Sequence, residues 1–542
     1  MRLVQGGFRL AATDVANHLA CRHKTTLERG AADGRWEPPD WYRPEAEVLA
    51  QRGLEHERAY LEHLESQGRE ITRLDLEDGE SAIEKTLAAM RAGADVIAQA
   101  TLAHDRWLGR ADVLLRVEHE SALGAWSYEA LDTKLSQETK AGAILQLCLY
   151  SELLEKAQGF LPEHMYVVPR RPDFPLETYR VEDHLAYYRL VKKKLEAAVD
   201  ADEAAAPATY PDPVPHCDVC RWWPRCDRQR RADDHLSLVA GLSRLQMREL
   251  ESREIETLAA LADQPLPLPW KPARGAKEGY ARAREQARVQ LEGRTEGRLV
   301  RELLAPEAHR GLALLPAPSP GDVFLDLEGD PFVEEGGLEY LFGWAVAEET
   351  PPGMLALDAR PLAYHRRWAL GRAAEGRGFE AVMDAMLSRL DRDPNLHVYH
   401  YGTYEPAALK RLMGRHATRG AELDRLLRGL RFVDLHAVVR QTLRASVEEY
   451  SIKQMEPFYG FEREQPLEGA KSALRAMERG LELGSALTAD GDEARTVEAY
   501  NRDDCFSTRA LRDWLEGLRR ELEKGGVEIG RPQDISGLAS EK

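Results

Sequence analysis

The stretch that most restricts what this chain can become is "PHCDVCRWWPRC", residues 215–226. It holds three of the six cysteines, Cys217, Cys220 and Cys226, within ten positions. No apolar run reaches the length of a membrane span, and "MRLVQGGFRLAATDVANHLACRH" lacks a basic region followed by an apolar stretch. A cytoplasmic protein with no membrane contact is therefore expected, and there thiols stay reduced and cysteines serve metals or chemistry before disulfides. Three thiolates do not complete a four-ligand site. A fourth ligand has to come from elsewhere in the fold.

At 542 residues the chain is too long for one core, so two to four domains are expected. The formal charge of -18 argues against a generally basic nucleic-acid coat but leaves room for local basic tracks. Residues 221–231 carry five arginines against one aspartate, and residues 271–310 carry ten Lys/Arg against six Glu. Taken alone, each reads best as a solvated face.

Helical spacing over about 45–70 precedes strand-like runs at "WLGRADVLLRV" (107–117) and "WSYEALDTKLS" (126–136). A helix at 141–159, a strand at "HMYVVPRR" and a charged helix at about 181–200 complete a small α/β domain. The breaker-rich "EAAAPATYPDPVP" leads into the cysteines. Residues 235–262 read as two short helices around "VAG", either a plain helical pair or a helix-hairpin-helix whose glycine admits a phosphate. The Pro/Ser/Gly run "LLPAPSPGD" (314–322) marks a domain boundary. Helices and strands alternate beyond it, with "LEYLFGWAVA" the antiparallel neighbour of "VFLDLEGD".

"GRADVLLRV" offers Asp112, and "EALDTKL" offers Asp132 and Lys134, which share one strand face. Paired carboxylates suit a Mg²⁺-type ion, and a neighbouring lysine suits developing phosphate charge. His56, in the upstream helix, offers an imidazole, and Gln146 and Tyr150 lie one helical turn apart. This order resembles the RecB-like branch of the PD-(D/E)XK nucleases: a helix His, G-x-x-D, D-x-K, then Q-x-x-x-Y. The resemblance, over about residues 8 to 230, implies metal binding by His56, Asp112 and Asp132, catalysis with Lys134, and substrate contact by Gln146 and Tyr150. In the iron–sulfur members of that branch one cysteine precedes the nuclease core and three follow it. Cys21 matches the first position, and Cys217, Cys220 and Cys226 match the rest. The implied group is a 4Fe-4S cluster, although four cysteines also suit zinc. Cys148 and Cys505 read as buried thiols.

Downstream, "VFLDLEGD" places Asp326 and Glu328 on one strand face, and "YNRDDCFSTRAL" places Tyr500 and Asp504 at i, i+4 on a helix. Asp503 points elsewhere on that spacing. Converging carboxylates suit a two-metal site for in-line displacement. With "YHYGTYEPAALKRL" between them, these motifs resemble the ribonuclease H-like 3′–5′ exonucleases of the DnaQ superfamily, tyrosine subtype, and the YprB-like branch in particular. The resemblance implies that Asp326, Glu328, Glu405 and Asp504 bind Mg²⁺ or Mn²⁺ and that Tyr500 positions water. Glu405 stands where that family has an aspartate, and Asp434 is expected to support the site. The first site has a lysine beside its ligands, whereas the second reads as carboxylates and Tyr500 alone.

The expected architecture is α/β throughout: a PD-(D/E)XK restriction-endonuclease-like domain with a cluster staple (1–232), a helical, basic connector (233–319) and a ribonuclease H-like domain (320–542). The expected activity is a metal-dependent nuclease, exonucleolytic on single-stranded DNA ends, in DNA repair, recombination or defence. RNA is the alternative substrate and a helicase the expected protein partner, since some relatives continue into one. The rival expectation is a non-catalytic nucleic-acid-binding subunit.

Overall fold

A computed structural model describes residues 1–533 apart from 5–6, 41–43, 75–78, 137, 172, 202–208, 334–335, 349–359 and 486, and leaves the side chains of 44–48 undescribed. The breaker-rich run before the cysteines thus falls partly outside the described residues. The chain divides into two compact units, Met1–Ala232 and Asp233–Lys542.

The first unit is built on an eight-stranded mixed sheet. At its centre the strand Trp107–Val117 pairs antiparallel with Val96–His104 and with Ser127–Lys134, and Ser127–Lys134 pairs in parallel with His164–Pro169. The helix Ala141–Gln158 covers one face through Leu145, Leu149 and Leu153, which meet Ile97, Leu114 and Ala130. The helix Pro44–Ser66 covers the other face with Tyr60, Leu61 and Leu64 against Val113, Leu131 and Val168. Both faces are buried, which is why these strands read as near-continuous apolar runs. The unit also holds elements that the sequence reading did not single out: Val96–His104, the N-terminal strands Arg2–Val4 and Gly7–Ala11, and the helices Ala12–Ala20 and Arg22–Ala32.

The second unit begins with helices whose own small core is formed by Leu236, Met247, Leu258 and Tyr280. What precedes Gly241 is a 3₁₀ turn, Leu236–Leu238, and the helical pair is Arg244–Glu251 and Leu258–Ala262, capped by Ser243 and Thr257. Gly241 adopts φ +76°, which favours glycine, and the end of the Arg440 side chain lies beside it. The expected pair around "VAG" is therefore displaced, and protein occupies the space beside that glycine.

Beyond it, a five-stranded sheet runs in the order Leu362–Trp368, Leu338–Ala347, Val323–Asp330, Val398–His400, Phe432–Asp434. The first three are antiparallel neighbours and the last two join in parallel. The helix Arg372–Arg392 packs on one face and the long helix Asp492–Lys524 on the other.

Several arginines of the two basic tracks pair within the protein, whereas Lys271, Arg274, Lys277 and Arg282 stay exposed. Arg221 pairs with Glu28, Arg225 lies 4.0 Å over the Trp36 ring, and Arg230 is buried against the Pro211 carbonyl. Arg288 reaches Glu285, Glu292 and Glu302, and Arg294 pairs with Asp234.

Candidate active sites

In the first unit the pairing of Val113 with Leu131 brings Asp112, in the middle of its strand, beside Asp132, near the end of its own. Asp112 Oδ2 accepts from the Thr133 amide (2.8 Å) and hydroxyl (2.9 Å). Lys134 Nζ lies 2.5 Å from Asp132 Oδ2. Burial, then the charge of Asp112, pushes the Asp132 carboxyl well above its ordinary range. Burial pulls the Lys134 ammonium down, but Asp132 and Asp112 outweigh it and hold Lys134 above its usual value. Tyr150 is seated over Gly109, where a Cβ would come within 2.8 Å of the ring. Burial and the same two aspartates raise its hydroxyl, so it faces them as a neutral donor. Gln146, one turn earlier, is half-buried.

His56 donates from Nε2 to the Val168 carbonyl at 3.2 Å and stacks on Phe174. Burial keeps the ring neutral, which suits a metal ligand. Next to it the structure adds a residue the sequence reading passed over. Glu57 is buried, its carboxyl raised by burial and by Asp112, and it accepts from Gln99 Nε2 at 2.5 Å. Gln99 sits between the rungs Ala98–Val113 and Ala100–Ala111, opposite Asp112, with φ +60°. A non-glycine residue there costs about 1 kcal/mol or more.

The four expected cysteines line one small pocket together with Lys24 and Trp222. Cys21 caps the helix Arg22–Ala32, its Sγ accepting from the Lys24 amide at 3.4 Å. Cys217 Sγ accepts from the Val214 amide at 3.3 Å. Burial, then crowding by Cys220, pushes the Cys226 thiol up to about 11, and Cys21 is raised by burial and by Cys217 and Cys220. Mutual repulsion of this kind is what a bound cation relieves. Among the described residues no three of these sulfurs lie within 4.8 Å of one another, whereas thiolates on one zinc sit about 4 Å apart. Cys148 and Cys505 are fully buried.

In the second unit the strand Val323–Asp330 turns Val323, Leu325 and Leu327 to one core and Phe324 to the other. Alternation puts Asp326 and Glu328 on the Phe324 side, facing the helix Asp492–Lys524. That helix comes close because Asp326 pairs with Gly343, where a Cβ would collide with Asn501 Oδ1. The pairing then slips between Glu328 and Gly329, a bulge that re-aims the carboxylate. Oxygens of Asp326, Glu328 and Asp504 all fall within 4.8 Å of one another. Burial and Asp504 raise Asp326 well above its ordinary range and Glu328 to about 8.

Three residues absent from the sequence reading complete this site. Asn501 Nδ2 donates to Asp326 Oδ2 (2.7 Å). Lys453 Nζ donates to Asp504 Oδ2 at 3.0 Å and stands 5.0 Å from the Tyr500 ring centre. Arg463 bridges Asp504 and Glu456. The reading of this site as carboxylates and Tyr500 alone is thus corrected, since it too has a lysine. Burial and Asp504 raise the Tyr500 hydroxyl, which stays protonated. Glu405 lies close enough for its charge to act on Asp326 but outside the set of three. Asp434 accepts from the Gly402 amide at 2.9 Å, fixing the turn ahead of Glu405, and Asp503 turns away to the Gln465 amide.

Residues 323–516 match a family model described as the RNase_H superfamily. The match spans the whole five-stranded sheet and Asp326, Glu328, Glu405, Tyr500 and Asp504, and this part of the chain is a ribonuclease H-like domain with a nuclease-type fold. No curated protein matches the chain. Among the described residues no helix is long and apolar enough to cross a membrane.

Proposed function

We propose that the protein is a divalent-metal-dependent nuclease that degrades DNA from single-stranded ends, with RNA as the alternative substrate. The observation that carries this reading is the closure of Asp326, Glu328 and Asp504 within 4.8 Å inside the ribonuclease H-like domain. The crowded carboxylates, with Asp326 and Glu328 raised by burial and by Asp504, fit hard divalent ions such as Mg²⁺ or Mn²⁺. When bound, such ions supply Lewis-acid stabilisation of the phosphoryl oxygens.

The chain's own groups do the rest. Asn501 holds Asp326 at its proper angle. Tyr500, kept protonated, orients the attacking water as a hydrogen-bond donor. Lys453 keeps its charge beside Asp504 and Tyr500, where it offsets charge developing on the phosphate.

The first unit, on its resemblance to the RecB-like nucleases, is assigned a second and separate hydrolytic site. Its cation is held by Asp112, Asp132 and His56, Lys134 supports the transition state, and Gln146 and Tyr150 grip the strand. The resemblance to the iron–sulfur members of that branch favours a 4Fe-4S cluster over zinc as the staple at Cys21, Cys217, Cys220 and Cys226. Work on DNA ends in repair, recombination or defence, in the cytoplasm and beside a helicase, fits this pair of sites.

The test is degradation of end-labelled single-stranded DNA and RNA with Mn²⁺ by Lys134→Ala protein. Residual cleavage that vanishes on adding Asp326→Ala is expected. An Asp326→Ala change without effect on that residual cleavage overturns the assignment, and binding without cleavage by wild-type protein leaves a nucleic-acid-binding subunit.

A further inference from the structure

The strand Leu362–Trp368 lies at the edge of the ribonuclease H-like sheet and carries no acidic residue. Its alternate residues nevertheless converge on the turn of the long helix that bears Tyr500 and Asn501. Tyr364, Arg366 and Trp368 share one face of the strand. The Tyr364 hydroxyl donates to Asn501 Oδ1 at 2.8 Å, Arg366 pairs with Glu498, and Trp368 Nε1 donates to Glu498 Oε2 at 3.2 Å. Glu498 and Asn501 are neighbours at i, i+3 on the helix surface, so the strand fixes how that turn is rotated. Gly343, on the adjoining strand, leaves the gap. A Cβ there would collide with Asn501 Oδ1 and fall 2.9 Å from the Tyr364 hydroxyl.

The polarity of this contact is set at its far end. Asn501 Nδ2 faces the Asp326 carbonyl at 3.2 Å, Asp326 Oδ2 at 2.7 Å and Glu328 Oε1 at 3.4 Å. A backbone carbonyl accepts and never donates, so the amide has to present its NH₂ group there and its oxygen to Tyr364. Turned over, the same amide would press Oδ1 against that carbonyl and two carboxylates. The two orientations are nearly equal in shape, and the phenol is the donor that separates them. We propose that Tyr364 is a positioning residue of this site, acting through Asn501: its hydroxyl holds the amide nitrogen toward Asp326 and Glu328, and the amide holds those carboxylates in the spacing that receives a cation. This rests on reading the domain as metal-dependent. Outer groups of this kind orient the ligands of an ion without touching it. Without the phenol, Asn501 Oδ1 is an acceptor with no donor, and the carboxylates lose their alignment before the ion arrives. Once bound, the ion aligns them itself. The loss therefore falls on metal affinity far more than on the chemical step.

The experiment measures Mn²⁺ binding and Mn²⁺-dependent cleavage of end-labelled single-stranded DNA by the full chain. A His56→Asn, Asp132→Asn background silences the first unit. Tyr364→Phe keeps the ring and removes only the hydroxyl, and thermal melts report that the domain stays folded. The Mn²⁺ dissociation constant and the half-saturating Mn²⁺ should both rise about tenfold. Cleavage at saturating Mn²⁺ should fall by less than about threefold. In Asn501→Ala protein, already weakened, adding Tyr364→Phe should lower Mn²⁺ affinity no further, because Tyr364 acts through that amide. A residue that merely braced the edge strand would add its loss to that of Asn501→Ala. Unchanged Mn²⁺ affinity in Tyr364→Phe, or a full additional loss in the Asn501→Ala background, overturns the proposal and leaves the nuclease reading intact. The tenfold response without cleavage of DNA or RNA by any of these proteins removes the nuclease reading and keeps the positioning role. No Mn²⁺ bound by the starting protein overturns both.

Discussion

Gln99 is held at φ +60° in the rung opposite Asp112, and its amide is spent on the buried Glu57. A glycine adopts that backbone without penalty, so Gln99→Gly separates conformation from contact. The variant should match wild-type stability to within about 1 kcal/mol while first-site cleavage, measured with Asp326→Ala, falls about tenfold as Glu57 loses its anchor. Wild-type cleavage by Gln99→Gly would show Glu57 to be scaffolding. Glu328 gives a pH prediction. Its carboxyl is raised from 4.5 to about 8, so the folded protein holds a proton that the unfolded chain releases. The stabilising contribution is complete below about 4.5 and is lost as pH rises through about 8. Thermal melts of metal-free protein should therefore drop across that window, less so for Glu328→Gln, and Mn²⁺ should restore the loss. A midpoint indifferent to pH in metal-free protein counts against the crowded triad. Lys453→Met keeps the stem and deletes the charge, and should slow C-terminal cleavage about a hundredfold with the fold retained in the same melts.

At the scale of elements, what could be read from the sequence was what lies within one element. Asp326 with Glu328, and Tyr500 with Asp504, are fixed by strand and helix periods. Lys453, Arg463 and Glu57 come from elements whose approach is a tertiary fact, and no local spacing announces them. The Ser451 cap on the short helix carrying Lys453 is the one local sign that this lysine has a fixed position. The strand Val96–His104 was missed for another reason. "VIAQATLAH" is alanine-rich and buried on both faces, so it shows no alternation and its composition favours a helix. The cysteines illustrate the reverse case, since a resemblance gathered them across the chain and the structure lines one cavity with all four. Cys21→Ser and Cys226→Ser should lower the melting temperature of the first unit alike, because either opens the same ligand set. Anaerobically purified wild-type protein should be brown with broad absorbance near ~400 nm. A colourless protein with stoichiometric zinc keeps the staple and removes the iron.

At the scale of the molecule the two units carry their own cores, and each candidate hydrolytic site is assembled from one unit alone. Calorimetry should therefore resolve two transitions, with Cys226→Ser moving one and Glu328→Gln moving the other. A single transition shifted by both changes would show one cooperative block. The first unit has a further property that follows from Glu28. This side chain accepts from Arg221 and from Trp222, residues 193 and 194 positions away. The unit is in effect a circle sewn shut near its ends, with Trp222 fully buried at the seam. During synthesis that circle stays open until the ribosome has released the seam residues, so the earlier part of the unit has to wait for them. Once closed, the seam contacts and the shared sheet together hold the two pieces that a single cut in the intervening backbone leaves.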